Sequence, residues 1–179
     1  ITQVPGYHND TSSGDWWLGE LFWVENGSLE IRPEYEDQSN VRIQLDVQSD
    51  ALNSTTYGGA KSLISLRKNA KYLKLDQVDF LNCHTSAVVV RANDLSEFTM
   101  TDCSFSSGCY SSGNAGAIYV RETTEDNETY IVDIAKMTLN NVRFNGTHAA
   151  SHGGAISIRG RVNTLLQLNQ CTFTNTYAG

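Results

Sequence analysis

Proline and long apolar runs are both scarce in this sequence, which contains two prolines among 179 residues. The most apolar segment, residues 16–24, is interrupted by Glu20 and is much shorter than the roughly 20 residues that span a bilayer. We therefore expect no membrane span. Basic residues are also in the minority, with 13 Lys and Arg against 20 Asp and Glu and a net charge of −7. Because binding to a phosphate backbone needs a basic surface, the sequence predicts no nucleic-acid partner.

Two further signals are missing: apolar stripes with the period of an amphipathic helix, and cysteine pairs with the CxxC spacing of zinc sites. His148 and His152 are four residues apart, but they flank a loop before Gly153, so we expect neither a metal site nor a cofactor. The 14 glycines and the abundance of Thr, Val, Ile and Ser favour strands and tight turns. The chain is long enough for one domain with a continuous core.

An internal repeat is the strongest pattern in the chain. Four positions keep the spacing apolar-x-apolar-x-x-apolar-x-Phe. Its copies occupy residues 73–80, 98–105, 137–144 and 166–173. A fainter copy includes Leu45, Val47 and Leu52, with Asp50 in its third apolar slot. The two polar residues inside each copy belong to types that tolerate left-handed backbone, which predicts a corner.

A second short strand precedes each copy, usually after small residues. Its members are residues 28–32, 64–67, 87–91, 117–121 and 155–159, and each ends in Arg. In the last member, Ile156 and Ile158 alternate with Ser157 and Arg159, which is the period-two pattern of a strand with one buried face. Two strands and a corner per repeat predict a chain that coils, so that consecutive copies stack.

The predicted fold class is all-β: a right-handed parallel β-helix (solenoid) of about five rungs at residues 26–179, with an aromatic-rich N-terminal cap or arm at residues 1–25. Stacking of rungs about 4.8 Å apart would align one Phe from each copy in the core. These residues are Phe80, Phe105, Phe144 and Phe173. The polar insert at residues 122–130 is expected to be a surface loop.

Gly153-Gly154-Ala155-Ile156 and Phe173-Thr174-Asn175 resemble the GGA(I/L/V) and FxxN repeats of chlamydial polymorphic outer-membrane proteins. The repeat is also similar to that of the broader pectate-lyase-like superfamily, over residues 26–179. Asn follows Phe by two positions instead of three, and one Gly-Gly-Ala is reduced to Gly116-Ala117, so the match is to a repeat and not to a whole protein. The resemblance implies an exported β-helix with adhesive or surface roles.

The four cysteines fall into two kinds. Cys103 and Cys171 occupy the third apolar slot of the repeat, which predicts small buried side chains. Cys83 and Cys109 follow the Phe of neighbouring rungs by three and four residues. Because the spacing of adjacent strands lies within reach of a disulfide, we expect a Cys83–Cys109 bridge.

Five N-x-Ser/Thr sequons predict N-glycosylation and therefore a secreted, extracellular or cell-surface location. They lie at Asn9, Asn26, Asn53, Asn127 and Asn145. The chain begins with Ile1 and shows no signal sequence, which fits a processed protein or a piece of a larger one.

The arginines that end the first strand of each repeat would form a column on one edge of a sheet, where like charges repel. They are Arg32, Arg67, Arg91, Arg121 and Arg159. One interpretation is neutralisation by carboxylates such as Asp94, Glu122 and Glu34. The other is a groove for an anionic glycan or an acidic partner, because Arg binds carboxylate and sulfate bidentately.

A polysaccharide-cleaving enzyme would need carboxylates beside a basic residue. The best candidates are Asp76, Asp79 and Asp102, near Arg91 or Arg121. Asp76 and Asp102 fit corner positions, and Asp79 fits an outward slot that holds Ser, Arg or Thr in the other copies. We therefore expect no catalytic residue and no enzyme.

Assembly contacts are predicted at both ends of the chain. Trp16, Trp17, Phe22 and Trp23 fit a cap over the first rung, with a sugar-binding platform or a segment donated to a neighbouring molecule as alternatives. The strand at Phe173 leaves an open rung, which later residues of a longer chain or the next subunit of a head-to-tail assembly would cover. The leading interpretation is an extracellular structural glycoprotein module of a fibre or surface assembly. The alternatives are a glycan-binding adhesin and, third, a polysaccharide lyase or hydrolase.

Overall fold

The structure is a computed structural model, and it describes residues 7–9, 16–18, 22–34, 42–46, 62–83, 85–106, 109–111, 114–125 and 128–179. All regular secondary structure in these ranges is β-strand. They contain no helix of the length and apolar character that would span a membrane. The all-β prediction is confirmed.

Three parallel sheets contain most of the strands. The largest consists of β3 (Phe22–Ile31), β5 (Ile64–Asp76), β7 (Val88–Ala92), β8 (Glu97–Thr101), β11 (Ile118–Arg121), β14 (Val132–Asn140), β17 (Ile156–Arg159) and β18 (Val162–Asn169). The second consists of β4 (Ile43–Asp46), β6 (Val78–Leu81), β9 (Ser104–Phe105), β15 (Arg143–Asn145) and β19 (Thr172–Thr174). The third consists of β10 (Tyr110–Ser111), β16 (His148–Ala149) and β20 (Tyr177–Ala178).

Two antiparallel hairpins lie outside these sheets. The first joins β1 (Tyr7–Asn9) to β2 (Trp16–Leu18), and the second joins β12 (Thr123–Glu125) to β13 (Glu128–Tyr130). The second hairpin falls in the polar insert that the sequence predicts as a loop. That insert is therefore partly regular structure.

Five consecutive repeats contribute equivalent strands to the parallel sheets. We number them repeat 1 (residues 22–46), repeat 2 (64–81), repeat 3 (88–111), repeat 4 (118–149) and repeat 5 (156–178). Equivalent strands of consecutive repeats pair with each other. The long strand β5 takes part twice, because its first half pairs with β7 and its second half with β8.

One Phe from each of repeats 2 to 5 forms a continuous column of stacked rings. The ring centroids of Phe80 and Phe105 are 4.6 Å apart, those of Phe105 and Phe144 are 5.0 Å apart, and those of Phe144 and Phe173 are 4.8 Å apart. The first three side chains are fully buried, whereas 45% of Phe173 is exposed at the end of the column. The predicted aromatic column is confirmed.

The corner after the second strand has left-handed backbone at the same place in repeats 2 to 5. The residues with positive φ there are Gln77, Asp102, Asn141 and Gln170, with φ between 50° and 54°. Side-chain amides connect neighbouring corners: Asn141 Nδ2 donates to Asp102 Oδ1 at 2.5 Å, and Asn169 Nδ2 donates to Asn140 Oδ1 at 2.8 Å. The predicted corner is confirmed, and polar ladders on its outside align the repeats.

Glycine allows two walls to approach closely where repeats 4 and 5 begin. A Cβ atom on Gly116 would lie 2.2 Å from the carbonyl oxygen of Gly154 and 2.7 Å from the backbone nitrogen of His148. A Cβ on Gly154 would lie 2.5 Å from the backbone nitrogen of Tyr177. These glycines are needed because backbone occupies the space of a side chain.

The register of repeat 1 differs from the prediction. Phe22 and Val24 pair with Ile64 and Leu66, so residues 22–24 form the first strand of the repeat. Residues 28–32 were predicted for that position, but Leu29 and Ile31 lie opposite Leu73 and Leu75. The prediction is wrong because β3 contains two irregularities, between Val24 and Asn26 and between Gly27 and Ser28, which spacing in the sequence does not reveal.

The fainter copy of the repeat is also placed differently. Leu45 pairs with Phe80, and Ile43 pairs with Val78, so Leu45 occupies the Phe position and not the first apolar position. Val47, Asp50 and Leu52 lie outside the described residues. The predicted boundary between a cap at residues 1–25 and a repeat domain at 26–179 falls inside β3.

Candidate functional site

Four of the five predicted arginines share one column on the largest sheet. Arg67 pairs with Arg91, and Arg121 pairs with Arg159; the two pairs are joined because Val90 lies opposite Val120. Arg32 is not part of the column. It follows Ile31, which pairs with Leu75, so Arg32 lies at the level of Asp76 and forms an ion pair with Glu30 at 3.2 Å.

Two of these guanidinium groups form cation–π contacts with aromatic rings. Arg67 lies 4.5 Å from the ring centroid of Trp23, and Arg121 lies 5.6 Å from that of Tyr119. Such contacts are favourable because the ring face is electronegative. The Nε of Arg121 is buried and has no hydrogen-bond partner among the described residues. Arg159, in the next repeat, is exposed.

Two of the three carboxylates expected to neutralise the column have other partners. Asp94 pairs with Lys71 at 2.6 Å, and Glu122 accepts a hydrogen bond from the backbone nitrogen of Arg161. Glu34 is exposed. In the part of the chain that the structure describes, neither Arg121 nor Arg159 forms an ion pair. The carboxylates considered for neutralisation therefore form no ion pair with these two arginines among the described residues.

The three aspartates considered for catalysis lie on a different wall, and their basic neighbour is Arg42. Its Nε donates to Asp79 Oδ2 at 2.6 Å and its Nη2 donates to Asp79 Oδ1 at 2.5 Å, a bidentate pair. Nη2 also donates to the backbone oxygen of Asp102 at 2.8 Å, and Ser104 donates to Asp79. Residue spacing predicted Arg91 or Arg121 for this position and missed Arg42.

The carboxylates of this cluster have opposite pKa shifts. The hydrogen bonds from Arg42 lower the pKa of Asp79 more than its partial burial raises it. Burial raises the pKa of Asp76, and the nearby charge of Asp102 raises it further. Both carboxylate oxygens of Asp79 accept hydrogen bonds from Arg42, and Asn141 donates to Asp102. These side-chain contacts connect repeats 1 to 4.

The predicted Cys83–Cys109 disulfide is not formed. None of the four cysteines forms a disulfide, and Cys83 and Cys109 are both buried. The two cysteines lie beside each other on neighbouring repeats, since Tyr110 donates its backbone N–H to the backbone oxygen of Cys83 at 2.6 Å. A hydrogen bond with the Cys83 side chain lowers the pKa of Cys109. Burial raises the pKa of Cys103 to about 12, which fits the small buried side chain predicted there.

Two of the five predicted glycosylation sites can be located with their side chains. Asn26 in β3 and Asn145 at the end of β15 are both exposed. Asn9 lies in β1, and Asn53 and Asn127 fall outside the described residues. The Asn145 sequon ends in Thr147, which is buried in the folded chain, so a glycan at Asn145 would have to be added before folding is complete.

An aromatic column that the sequence did not predict lies on the third sheet. The His148 ring is 4.9 Å from Tyr110 and 3.9 Å from Tyr177, centroid to centroid. His152 lies elsewhere, with Nδ1 2.6 Å from Ser151 Oγ and 2.8 Å from Asn114 Oδ1. No group of three metal-ligating side chains occurs among the described residues. The only signal for this column was the recurrence of an aromatic ring four or five residues after Phe.

The predicted assembly residues are divided between the two ends. Phe22 packs against the core, and 42% of Trp23 is exposed with Arg67 over its ring. Trp16 and Trp17 lie in β2, which pairs with β1. At the other end, Phe173, Leu168 and Tyr177 are all exposed, and among the described strands β17 to β20 each have a pairing partner on one side only.

No protein-family model, curated protein or solved structure matches this chain. The resemblance to chlamydial polymorphic outer-membrane proteins and to the pectate-lyase-like superfamily therefore stays a prediction.

Proposed function

We propose that the chain is a structural module of an extracellular or cell-surface assembly, built as a right-handed parallel β-helix. The observation that carries the proposal is the stack of equivalent side chains along five repeats. Phe rings at 4.6 to 5.0 Å spacing fill the core, and amide ladders connect the corners outside. A chain whose repeats contact mainly their neighbours forms an extended stack. Such a shape favours a structural function over catalysis.

The external location is supported by the surface chemistry. Asn26 and Asn145 are exposed within N-x-Ser/Thr sequons, and an acidic surface with a net charge of −7 suits a soluble exported module. We therefore propose that the protein is a secreted glycoprotein. The resemblance to exported repeat proteins points the same way.

Electron microscopy with immunogold labelling of the cells that produce the protein tests this function. We expect label on extracellular fibres or on a surface layer, together with a mass loss of the extracted protein on treatment with an N-glycosidase. Substituting Asn145 with Gln should remove one glycan unit, and Asn175→Gln, outside any sequon, is the matched control. Label confined to the cytoplasm and an unchanged mass would contradict the proposal.

A second candidate, a glycan-binding adhesin, is favoured by the Arg121 and Arg159 half of the arginine column. The buried Nε of Arg121 without a described partner, and the exposed guanidinium of Arg159 one repeat further, present two cationic forks on adjacent strands. Their ligand would be a polysaccharide with carboxylate or sulfate groups.

Binding to immobilised polyuronate and sulfated polysaccharides measures this activity. Changing Arg121 to Ala should lower the affinity about tenfold or more, the effect of losing one charge-assisted contact. Arg143→Ala removes the same charge from an exposed position on another sheet and should change affinity little. Equal losses for both variants would show that only the net charge matters.

The third candidate, a polysaccharide lyase or hydrolase, has the weakest support. Asp79 is held by Arg42 and Ser104, and Asp102 by Asn141, so these groups are engaged in contacts between repeats. Release of oligosaccharides from a polyuronate, unsaturated for a lyase and saturated for a hydrolase, would nevertheless establish this activity.

A further inference from the structure

Cys83 and Cys109 occupy the same slot at the end of repeats 2 and 3. Tyr110 donates its backbone N–H to the Cys83 oxygen at 2.6 Å, and His148 donates to the Cys109 oxygen at 2.9 Å. The same hydrogen bond recurs from Tyr177 to Thr147, so residues 83, 109 and 147 form one column along the stack. Cys83 and Cys109 are 1% and 0% exposed. The repeats therefore bring together two buried thiols that lie far apart in the sequence.

The two thiol groups contact each other across the boundary between the repeats. Cys109 Sγ lies 3.8 Å from the backbone oxygen of Phe80, so this side chain reaches from repeat 3 back to repeat 2. Cys83 Sγ lies 3.6 Å from the backbone oxygen of Leu81. A hydrogen bond between the Cys83 and Cys109 side chains connects the two sulfur atoms. Both sulfurs can therefore reach one ion placed between them.

The surroundings of this thiol pair favour a cationic partner. The hydrogen bond with Cys83 lowers the pKa of Cys109, whereas burial opposes this shift. Among the described residues, no charged side chain contributes to the shift. A buried thiolate without a counter-charge is unfavourable, because an apolar environment does not solvate its charge. A bound cation would supply the charge that the surrounding side chains do not.

The number and chemistry of the ligands select a soft monovalent ion. Structural Zn²⁺ sites use four ligands, whereas the described residues contain no group of three metal-ligating side chains. Thiolates prefer soft ions such as Cu(I), which accepts two sulfur ligands in a line. With a metal–thiolate bond of about 2.3 Å, a linear S–Cu–S unit spans about 4.6 Å. The neighbouring rings of Phe80 and Phe105 are 4.6 Å apart, so such a unit matches the spacing of the repeats.

Thr147, the next residue of the column, is a second sign of a ligand at this position. It is fully buried, and its hydroxyl oxygen has no hydrogen-bond partner among the described residues. Buried polar atoms without a protein partner are typical of places where an ion or a water molecule binds. The two thiols and this hydroxyl therefore form a short polar strip along the edge of the apolar core.

We propose that Cys83 and Cys109 form a two-coordinate binding site for Cu(I) between repeats 2 and 3. The ion replaces the proton that the two sulfurs share. One thiol proton leaves to solvent, and a neutral unit of thiolate, Cu(I) and thiol remains, with no change in the oxidation state of copper or sulfur. Asn82 and Tyr110 adjoin the two cysteines in the sequence and are exposed, so local opening of this corner admits the ion. This site is separate from the arginine column and does not depend on the proposed extracellular location.

The test is a titration of the reduced, intact protein with Cu(I) under anaerobic conditions, in competition with the chromogenic chelator bicinchoninate. We expect one tightly bound Cu(I) per chain, with the stoichiometry confirmed by native mass spectrometry. X-ray absorption at the copper edge should show two sulfur neighbours. Because the ion connects two repeats and binds the folded chain, it should also raise the urea midpoint of the wild-type protein.

The other repeats supply the matched variants. Cys83→Thr and Cys109→Thr introduce the residue that fills this slot in repeat 4. Each should lower the affinity for Cu(I) at least about hundredfold, because the second sulfur binds the ion intramolecularly. Cys103→Val and Cys171→Val are the controls, since Val78 and Val142 fill their slot in repeats 2 and 4. Both controls should leave the affinity unchanged.

Every other result would overturn the proposal. Such results are no Cu(I) binding in competition with bicinchoninate, or unchanged affinity in a Thr variant with wild-type circular dichroism. An equal loss of affinity in a Val control, or a Cys83–Cys109 disulfide in the native protein, would also contradict it. The absorption spectrum of the wild-type complex decides independently of any variant, because oxygen ligands or a third sulfur would exclude the two-cysteine site.

Discussion

The contribution of the Phe column to stability can be isolated by replacing Phe144 with Leu. Phe144 stacks on Phe105 at 5.0 Å and on Phe173 at 4.8 Å, and Leu keeps most of the apolar contact but removes both stacks. Phe98 is the matched control. It is equally buried, and its register partners, Leu73 and Met137, are aliphatic.

The expected difference follows from the number of stacks. An offset or stacked aromatic pair contributes about 0.5–1.5 kcal/mol beyond its area burial, so Phe144→Leu should lose about 1–3 kcal/mol more than Phe98→Leu. The change in shape itself is common to both variants and is about 1.5 kcal/mol or less. Against a typical unfolding free energy of about 5–15 kcal/mol, this difference is easily measured.

Equilibrium unfolding in urea, followed by far-ultraviolet circular dichroism, gives the free energies. Phe173→Leu should show the loss of one stack only, and less apolar burial, because its ring has a single partner and is half exposed. Equal destabilisation by Phe144→Leu and Phe98→Leu would refute the idea that stacking adds to burial in this core. A changed m-value would indicate loss of two-state unfolding instead.

Three further predictions concern other features of the stack. Gly116→Ala should lower stability by about 1–3 kcal/mol or more in a urea titration, because its Cβ would overlap backbone atoms, whereas Gly179→Ala should be neutral because no atom lies within 4 Å. Hydrogen bonds from Arg42 lower the pKa of Asp79, so the ionised carboxylate stabilises the fold above its unfolded pKa. This stabilisation is lost as the pH falls through the folded pKa. Asp79→Asn should therefore lower the urea midpoint at pH 7 but not in strong acid. Burial raises the pKa of Asp76, so the stability that its protonated form contributes is present at low pH and lost as the pH rises through its folded pKa. Asp76→Asn should therefore raise the urea midpoint at pH 7. A lower urea midpoint for this variant at pH 7 would contradict the prediction.

The repeated parts of the fold could be predicted because several independent requirements coincide in them. The recurring rings of Phe80, Phe105 and Phe144 predict stacking in the core, and the polar pair before each predicts a left-handed corner. One sequence pattern therefore defines both a strand and the turn before it. Cys83 and Cys109 were placed on neighbouring repeats by the same spacing. Whether the thiols are bonded depends on sulfur geometry, which residue spacing does not define.

The column on the third sheet could not be predicted from the sequence. Its rings belong to different residue types, and the interval from Phe is five residues for Tyr110 but four for His148 and Tyr177. The contact between Gly116 and the backbone of Gly154 and His148 is likewise a tertiary feature. The small residues before each strand indicate that another segment packs closely there. They do not indicate which segment it is.

The failure to identify Arg42 and the misplacement of Arg32 have one cause, the register of repeat 1. If Leu45 were equivalent to Leu73, Arg42 would occupy the position of Ala70, far from the corner. Because Leu45 in fact lies opposite Phe80, Arg42 comes directly before the Ile43–Val78 pair and reaches Asp79. The irregularities in β3 shift Arg32 in the same way, from the arginine column to the level of Asp76. A side chain's chemistry in a repeat structure therefore follows from its register, and the register of the end repeat depends on strand irregularities that leave no trace in the spacing of apolar residues.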